Sequence, residues 1–513
     1  MLNLNRTSVV IALTACLSVP CGLTAQTDKT SDKTEIQLIQ ADRWFYSKDL
    51  NANSQFIVGN VILQHDSAYL LCDTAMLYKA TNTVEAYSNV RIIDNDTINL
   101  YGDYLTYNGN TKIADIRGNV RLVDPSTTLE TSQLTLNRNT HTAYYDSGAT
   151  ITNGENKLVS VDGIYNTRTG NLSFHKDIVI TNPDYILKSD TMLYNVDRKV
   201  VTAIDSTTIF NKENTMFCRS GTYNLETDKG SFNNSVEIRY DNYILFSDSL
   251  YYENKKNHAE GYENVTVIDT TNKITSWSDY IEFNKEDGYG FISGNSKVRY
   301  LTEKDTMYIL ADTIRATFDS TLIDITAYNH VKLIHKDFQA VCDSMVAYRV
   351  DSCVKLFNFP ALWTGKNQIT GDTIILYTTD GKIDKLHIPS SGFIAAQDTL
   401  GSINQIKGNE ISIYFKNSDN DSADSNQVNG IDYVAIDGDN KVVYFLRDDS
   451  YELIGINVVS AKNSKIIFVD GEMRDFIFFS DVKSDIYPTD KSDPSMEKLD
   501  GLKWREEERP ATE

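Results

Sequence analysis

Residues 118–122 read Gly-Asn-Val-Arg-Leu, a turn-forming pair followed by apolar residues that alternate with a charged one. Segments of the same kind recur along the chain. Their third positions are spaced by 29 or 30 residues and fall at Val61, Val90, Val120, Ala149, Ile178, Thr207, Val236 and Val265. A register kept over so many copies indicates a repeat protein whose unit is about 29 residues long.

A second marker lies between copies of the first, an Asp with apolar residues two and four positions later. It occurs at Asp103, Asp190, Asp248, Asp279, Asp312, Asp343 and Asp372. The last four of these are spaced by 33, 31 and 29 residues, which indicates small insertions in the later repeats. We interpret these Asp residues as turn residues and exposed strand starts, because Asp favours turns.

Within each repeat the apolar residues alternate with period two, as Val120 and Leu122 do. This period is typical of half-buried strands. Clusters such as Tyr107-Asn108-Gly109-Asn110 supply turn residues that tolerate positive φ. No segment between residues 36 and 480 has a convincing helical period. Each repeat is therefore predicted to be two hairpins of short strands.

One repeat holds too few large apolar side chains to offset the conformational entropy of ordering it, so neighbouring repeats must stack. We predict an all-β fold, an elongated β-jellyroll or solenoid of about twelve repeats of 29 residues with two facing antiparallel sheets. Both ends of such an array expose unpaired strand edges. These edges either join a partner by strand addition or are blunted by polar segments.

The pattern divides the chain into segments of different character. The predicted boundaries are a cleavable signal peptide at 1–25, a polar leader at 26–35, the regular array at 36–390, divergent β-repeats at 391–483 with a polar insert at 417–430, and an acidic tail at 484–513. A lipoprotein cleavage box ending at Cys16 is the alternative for the first segment. Trp504 lies in a terminal segment that we expect to dock on a partner.

Composition excludes several classes of function. A formal charge of -22 repels phosphate backbones, so nucleic acid is not an expected partner. Cys72, Cys218, Cys342 and Cys353 are too few for a disulfide scaffold and are predicted to be small buried residues. A bridge between Cys342 and Cys353 stays open as an alternative.

Catalytic, cofactor and metal sites are not predicted. The seven histidines are scattered, and the chain has no HExxH, GxSxG, P-loop or CxxC motif. The run Asp419–Ser425 lacks the glycine and the final Glu of a calcium loop. We therefore expect a protein that is not an enzyme, with no cofactor.

The recurring Gly-Asn-Val strand, followed by a strand with the Asp pattern in an exported all-β chain, resembles the OstA/LptA superfamily of lipopolysaccharide-transport proteins. The resemblance covers residues 36 to 380 and continues in more divergent repeats to about 480. It implies a β-jellyroll of two sheets opened like a V, with lipid acyl chains held between them. It also implies a location in the periplasm and end-to-end contacts that build a bridge between the two membranes.

This resemblance predicts a lipopolysaccharide carrier or bridge component whose partners are lipopolysaccharide, other Lpt-type components and further copies of itself. The alternative is a structural or adhesive solenoid with a closed core and no lipid ligand. The inward apolar residues expected to contact acyl chains are Val61, Leu63, Val90, Ile92, Leu105, Tyr107, Val120, Leu122, Met192, Tyr194, Val236, Ile238, Leu250, Val265, Val267, Ile281 and Phe283.

Overall fold

The structure, a computed structural model, describes residues 34–46, 54–94, 98–212, 214–301, 305–319, 322–348, 352–379, 382–416, 430–448, 450–469, 472–488 and 498–511. The predicted signal peptide lies outside these residues, as do most of the leader and of the insert at 417–430. Helix within the described part of the chain is limited to two 3-10 turns, Asn254–Lys256 and Glu506–Glu508.

Strands account for most of the described chain. Their bounds are β1 Gln37–Gln40, β2 Arg43–Tyr46, β3 Ser54–His65, β4 Ala68–Tyr78, β5 Thr83–Asp94, β6 Ile98–Asn108, β7 Ile113–Val123, β8 Thr127–Asn137, β9 Thr142–Tyr145, β10 Ala149–Asn153, β11 Asn156–Ser160, β12 Asp162–Asn166, β13 Asn171–Thr181, β14 Tyr185–Asn195, β15 Val200–Ala203, β16 Thr207–Asn211, β17 Asn214–Cys218, β18 Ser220–Asn224, β19 Lys229–Tyr240, β20 Tyr243–Glu253, β21 His258–Asp269, β22 Ile274–Asn284, β23 Tyr289–Leu301, β24 Thr306–Asp319, β25 Leu322–Ile334, β26 Gln339–Tyr348, β27 Cys353–Phe357, β28 Ala361–Thr364, β29 Asn367–Thr370, β30 Thr373–Thr379, β31 Lys382–Ile388, β32 Gly392–Gln397, β33 Ile403–Gly408, β34 Glu410–Phe415, β35 Ile431–Arg447, β36 Leu453–Val469, β37 Glu472–Phe479 and β38 Lys483–Pro488.

These strands form one continuous antiparallel sheet that is folded lengthwise into two layers. Many strands are 10 to 14 residues long and cross from one layer to the other through a β-bulge in mid-strand. Between β4 and β5, for example, the register shifts between Leu71 and Thr74. Because the bulge adds one residue, apolar side chains on both halves of each strand point into the same interior.

The predicted fold class is confirmed, but the predicted hairpins of short strands are corrected. One repeat is a single hairpin of two long bent strands, and in places the bend interrupts the strand, as between β9 and β10. Period-two patterns on either side of the bend looked like separate strands because the bulge reverses which residues face inward.

The fold corner is made by the turn-forming pairs of the sequence repeat. Gly118 and Asn119 both have positive φ, 75° and 45°, and the same pair of left-handed residues recurs at Ser88-Asn89 and Glu263-Asn264. Asn and Gly tolerate this conformation better than other residues, which explains why they recur at this position.

The Asp markers lie beside this corner rather than in turns, which corrects their interpretation. Four of them, Asp103, Asp248, Asp279 and Asp343, accept a hydrogen bond from the amide of an Asn at the corner. Asp312 is bonded by His330, and Asp372 by Ser390 and Ser391. The Asn Nδ2 to Asp Oδ2 distances are 2.7 Å for Asn119 and Asp103, 2.6 Å for Asn264 and Asp248, and 2.8 Å for Asn295 and Asp279. The two sequence markers are therefore two halves of one hydrogen-bond ladder along the corner.

The interior contains three apolar clusters in chain order. The first extends from Ile36 to Val201 and the last from Ile292 to Met473, and both consist of buried side chains. Between them lies a small cluster of five buried residues, Met216, Cys218, Phe232, Val236 and Leu250. Interior packing is thus continuous in both outer parts of the array and sparse in its middle.

All four predicted core cysteines are buried, and Cys342 is a free thiol, so the alternative bridge to Cys353 is not formed. Burial raises the pKa of the Cys72 and Cys342 thiols to about 12 and that of Cys218 to about 11. These thiols therefore stay protonated and unreactive at neutral pH.

Candidate functional site

We define the first layer as the strand halves that end at turns such as 65–68. A single row of inward-facing side chains runs across this layer. Each member is the register partner of the next. In order the row is Leu63, Leu70, Ile92, Leu100, Leu122, Leu129, Ile151, Leu158, Ile180, Leu187, Ile209, Met216, Ile238, Leu245, Val267, Ser276, Val298, Ile309, Leu333, Ala340, Leu362, Ile369, Ile394, Ile406, Val442 and Val459.

Exposure along this row changes in the middle of the array. Every member from Leu63 to Leu187, and again from Val298 to Val459, is 9% exposed or less. In between, Ile209, Ile238, Leu245, Val267 and Ser276 are partly exposed, and only Met216 of that stretch is buried. Since these side chains occupy the same structural position, the change means that the two layers part over this stretch.

The second layer, which ends at turns such as 78–83, shows the same opening. Its inward row is buried from Leu77 to Val201. Tyr223, Tyr252 and Ala259 are partly buried, and Phe283 is 36% exposed.

We call the opening between the two layers the groove. Its walls are Ile209, Ile238, Leu245 and Val267 on one side and Tyr223, Tyr252, Ala259 and Phe283 on the other. From β16 to β23 the first layer has six strand spacings, so the groove is about 30 Å long. Its floor at the corner contains Gly261 and Ser247 beside the buried side chains of Val236, Leu250 and Val265. The Ser247 Oγ is buried there, with no hydrogen-bond partner among the described residues.

Tyrosine hydroxyls close the mouth on the N-terminal side of the groove. In the second layer's row, Tyr165 donates to Asp124 in a turn of the opposite layer, and Tyr194 donates to Asn153 Oδ1 over 3.0 Å. Burial raises the pKa of Tyr194 to about 12 and also raises the pKa of Tyr165, so both hydroxyls remain protonated donors at neutral pH. We call these contacts the tyrosine latch.

A buried ion pair reinforces the closure nearer the N-terminus. Arg138, in a second-layer turn, holds Asp94 in a first-layer turn with Nε to Oδ2 at 2.9 Å and Nη2 to Oδ1 at 3.1 Å. Its Nη1 also donates to Tyr107 Oη at 3.0 Å, and His65 Nδ1 lies 2.7 Å from the same hydroxyl. Burial raises the pKa of Asp94, but the hydrogen bonds and charge of Arg138 outweigh burial, so this pKa lies below its ordinary value.

The equivalent tyrosines in the groove make different contacts. Tyr223 and Tyr252 continue the 29-residue spacing of Tyr165 and Tyr194. The Tyr252 hydroxyl donates to Asn254 in its own layer at 2.9 Å, and the Tyr223 hydroxyl lies 3.5 Å from Asp228, also in its own layer. The array thus opens where the tyrosines turn to their own layer.

One contact bridges the mouth of the groove itself. The Lys285 Nζ, in a second-layer turn, donates to the hydroxyl of Tyr240 in the first layer at 2.9 Å and lies 5.3 Å from its ring centroid. The hydrogen bond is exposed to solvent, and therefore weaker than the buried pair of Arg138 and Asp94.

The structure divides the predicted site residues into three groups. Ten lie in the sealed N-terminal interior: Val61, Leu63, Val90, Ile92, Leu105, Tyr107, Val120, Leu122, Met192 and Tyr194. Val236, Leu250 and Val265 are buried at the corner of the middle segment. Ile238, Val267, Ile281 and Phe283 face the open groove.

Sequence reasoning missed several groove residues, among them Ile209, Leu245, Tyr252 and Ala259. The Leu245 position could have been found by register, because it is the hairpin partner of Ile238. It also missed Arg138, since a single arginine in a turn carries no repeat signal.

One group of side chains has the spacing of metal ligands. Ligand atoms of Asp305, His335 and Asp337 lie within 4.8 Å of one another. However, the Lys336 ammonium lies 2.8 Å from Asp305, so a protein cation already neutralises that carboxylate. We interpret the group as a half-buried ion-pair network in a turn.

None of the helical segments in the described residues has the length and hydropathy needed to cross a bilayer. The fold and groove define a class of protein: a lengthwise-folded antiparallel sheet with an apolar interior that is open along part of one side.

Comparison with known proteins identifies the N-terminal part of the chain. Residues 33–190 match the family described as OstA-like protein. The resemblance predicted from the repeats is therefore confirmed over these residues.

Among solved structures, the chain is similar to LptH from Pseudomonas aeruginosa, described as the LptA-homologous periplasmic component of a lipopolysaccharide transport device. The two are 15% identical, and the match covers 22% of this chain and 80% of LptH with a TM-score of 0.20. A likeness of this size carries no argument about function. No curated protein matches the chain.

Proposed function

We propose that the chain is a periplasmic lipopolysaccharide-binding and transport protein, an LptA-like carrier or bridge component that is not an enzyme. The acyl chains bind in the groove. The supporting observation is the inward row of the first layer, which is sealed from Leu63 to Leu187 and partly exposed from Ile209 to Ser276. The OstA-like match of residues 33–190 supports the same class of function.

The free energy for binding comes from the acyl chains. Each buried CH2 contributes about 0.8 kcal/mol, so a chain of ~12 carbons gains up to ~10 kcal/mol on leaving water. Aliphatic and tyrosine side chains such as Leu245, Val267 and Tyr252 offer that dry surface.

Head groups contribute less, because three of the lysines near the mouth already have acidic partners. Lys229 and Lys256 lie 3.3 Å and 3.2 Å from Glu253, and Lys255 lies 3.6 Å from Asp228. On a chain of formal charge -22 these lysines do not create a net positive surface. The phosphorylated head group therefore stays at the mouth in solvent.

Both ends of the sheet offer edges for end-to-end strand addition with other Lpt-type components or with further copies. At one end β2 pairs only with β3 among the described strands, and Trp44, Phe45 and Tyr46 are about half exposed. At the other end β37 and β38 both pair with β36. An exposed aromatic edge strand is a template for pairing with another sheet.

A structural solenoid without a lipid ligand is the second candidate. The sealed interiors of the two outer parts favour it, because there the apolar side chains fill a closed core. The partly exposed groove walls favour lipid binding, since a purely structural array gains nothing from leaving Ile238 and Leu245 accessible.

Charge placed in the groove tests the proposal. In Leu245→Asp an inward side chain becomes a carboxylate, and we expect purified protein to bind lipopolysaccharide at least tenfold more weakly, because burying a charge among acyl chains is unfavourable. The matched control is Ile244→Asp, which changes the outward neighbour on the same strand and should alter the dissociation constant less than twofold. Equal losses in both variants would refute the groove as the binding site.

A further inference from the structure

The C-terminal segment at 498–511 lies across the outer face of the first layer in the C-terminal half of the array. It contacts residues between 93 and 170 positions earlier in the chain. We had expected Trp504 to dock on a partner, but this segment docks on its own chain. We call it the strap, and the row beneath it the strap site, which consists of Gln339, Trp363, Gln368, Ala395, Gln405 and Val443.

Three buried glutamines hold the strap. Gln368 accepts from the Arg505 backbone N–H and donates to the Lys503 carbonyl, each at 2.6 Å. Gln405 accepts from the Leu499 N–H at 2.8 Å. These two glutamines are each 1% exposed and Gln339, the third, is 2% exposed. Buried side-chain amides on the outer face that hydrogen-bond to a main chain form a preformed binding site for an extended peptide.

Two arginines of the strap add side-chain contacts. Arg505 donates to the Phe359 carbonyl at 2.9 Å, and Arg509 donates to the Gly365 carbonyl at 3.0 Å. Arg509 Nε also donates to Gln339 Oε1 at 2.7 Å. Binding of the segment therefore uses these two side chains as well as its main chain.

The strap itself is lightly packed. None of its described residues is buried, whereas Trp363 and Ala395 of the strap site are fully covered. If the strap were released, its polar groups would form hydrogen bonds with water, and the strap itself would expose little additional apolar surface. This asymmetry is typical of a ligand on a receptor and not of a core element.

The segment that connects β38 to the strap is long enough for the strap to reach beyond its own chain. Residues 489–497 separate Pro488 of β38 from Lys498, and ten peptide units span up to ~33 Å when extended. The strap begins near Gln405 of β33, three strand spacings from β38, or about 14 Å. Slack of this size lets the same segment reach the strap site of an adjacent copy.

We propose that the strap site is a peptide-binding surface and that two copies of the chain exchange their C-terminal segments across it. The exchange joins two arrays through their outer faces. It uses neither the groove nor the terminal strand edges, so it does not depend on the proposed lipid binding.

Cross-linking between differently labelled full-length copies tests the exchange. Lys407 Nζ lies 2.8 Å from the Asp500 carbonyl oxygen, so K407C in one copy and D500C in another would react with a short bis-maleimide only after exchange. Cys16 and Cys21 are replaced by Ser, and the buried thiols Cys72, Cys218 and Cys342 do not compete.

We expect a cross-linked dimer whose peptides join positions 407 and 500. A mixture of D500C with K188C, an exposed outward position on β14, should give no such product. An excess of the synthetic peptide 498–511 should lower the dimer yield at least threefold, and a peptide with Arg505 and Arg509 both changed to Ala should not. Cross-linking within single chains that carry both K407C and D500C, with none in the mixture, would overturn the proposal.

Discussion

At the residue scale, the tyrosine latch joins the two layers on the N-terminal side of the groove. Tyr165 and Tyr194 bond across the mouth, while Tyr223 and Tyr252, at the same repeat position, contact their own layer. A buried hydroxyl that donates to the opposite layer holds the two rims together.

Removing one latch hydroxyl should loosen the closed part next to the groove. In Tyr194→Phe the acceptor Asn153 Oδ1 loses its donor, and a net loss of about 1 kcal/mol in local stability is expected. Hydrogen exchange of β14 and β15, followed by mass spectrometry, should show faster opening. Tyr252→Phe is the control, since its partner Asn254 is exposed, and exchange there should change little. Equal effects in both variants would contradict a latch.

The Arg138–Asp94 pair makes the N-terminal closure sensitive to acid. The folded-state pKa of Asp94 lies below its ordinary value of about 3.9, so the pair's stabilisation is present above that pH. It is lost as the pH falls from there through the lowered pKa. Hydrogen exchange of β5, corrected for the intrinsic rate, should therefore accelerate below about pH 4.

Arg138→Met is the matched variant for this pH dependence. It leaves a buried carboxylate unpaired, which should reduce stability by about 3 to 5 kcal/mol at neutral pH. Protonation then relieves the unpaired charge, so β5 in this variant should become relatively more protected as the pH falls. A profile with the same slope as the unchanged protein would exclude the ion pair as the source of the acid response.

At the scale of single elements, the bent strand is the unit of the fold. Gly118 sits at the corner with φ +75°, and an added Cβ would lie 2.6 Å from Asp103 Oδ2. The same Asp103 carboxylate accepts the Asn119 amide, so the ladder and the bend depend on one another.

A methyl group at the corner should therefore disturb the bend. Gly118→Ala is expected to cost about 1 to 3 kcal/mol, because it combines a left-handed backbone with a clash against Asp103. Gly154→Ala is the control, with φ +58° but nothing within 4 Å of the added Cβ. Thermal unfolding followed by circular dichroism should show the larger decrease for Gly118→Ala. A similar decrease in both variants would mean that backbone conformation alone sets the cost.

The repeat and the strand period were predicted from the sequence, but the contact between the two markers was not. The offset of 16 residues between Asp103 and Asn119 recurs between Asp248 and Asn264, and it could have indicated the ladder. The long strands were missed because a bulge reverses the inward parity, so that a bent strand and a hairpin give similar patterns.

At the scale of the whole molecule, the array consists of two sealed parts and an open middle. The opening could not be predicted from residue types, because isoleucine occupies the same register position at 151 in the sealed part and at 238 in the groove. What differs is the set of contacts across the mouth, which in the sealed N-terminal part includes hydroxyl and ion-pair contacts. Those contacts join residues 41 to 44 positions apart, beyond the reach of local patterns.

The proposed function implies that lipid enters the array from the side, between β16 and β23. The sealed N-terminal part then limits movement along the interior unless the latch opens. The closed cores of the two outer parts, the groove in the middle and the strand edges at the termini thus lie in separate parts of the array.

The most direct test of the lipid-binding groove is site-specific photo-crosslinking in cells. A photoreactive amino acid at Ile238 should capture lipopolysaccharide, whereas at Ile151, the same row position in the sealed part, and at Arg239, the outward neighbour, it should not. Labelling of equal strength at Ile238 and Arg239, or none at Ile238, would contradict the account.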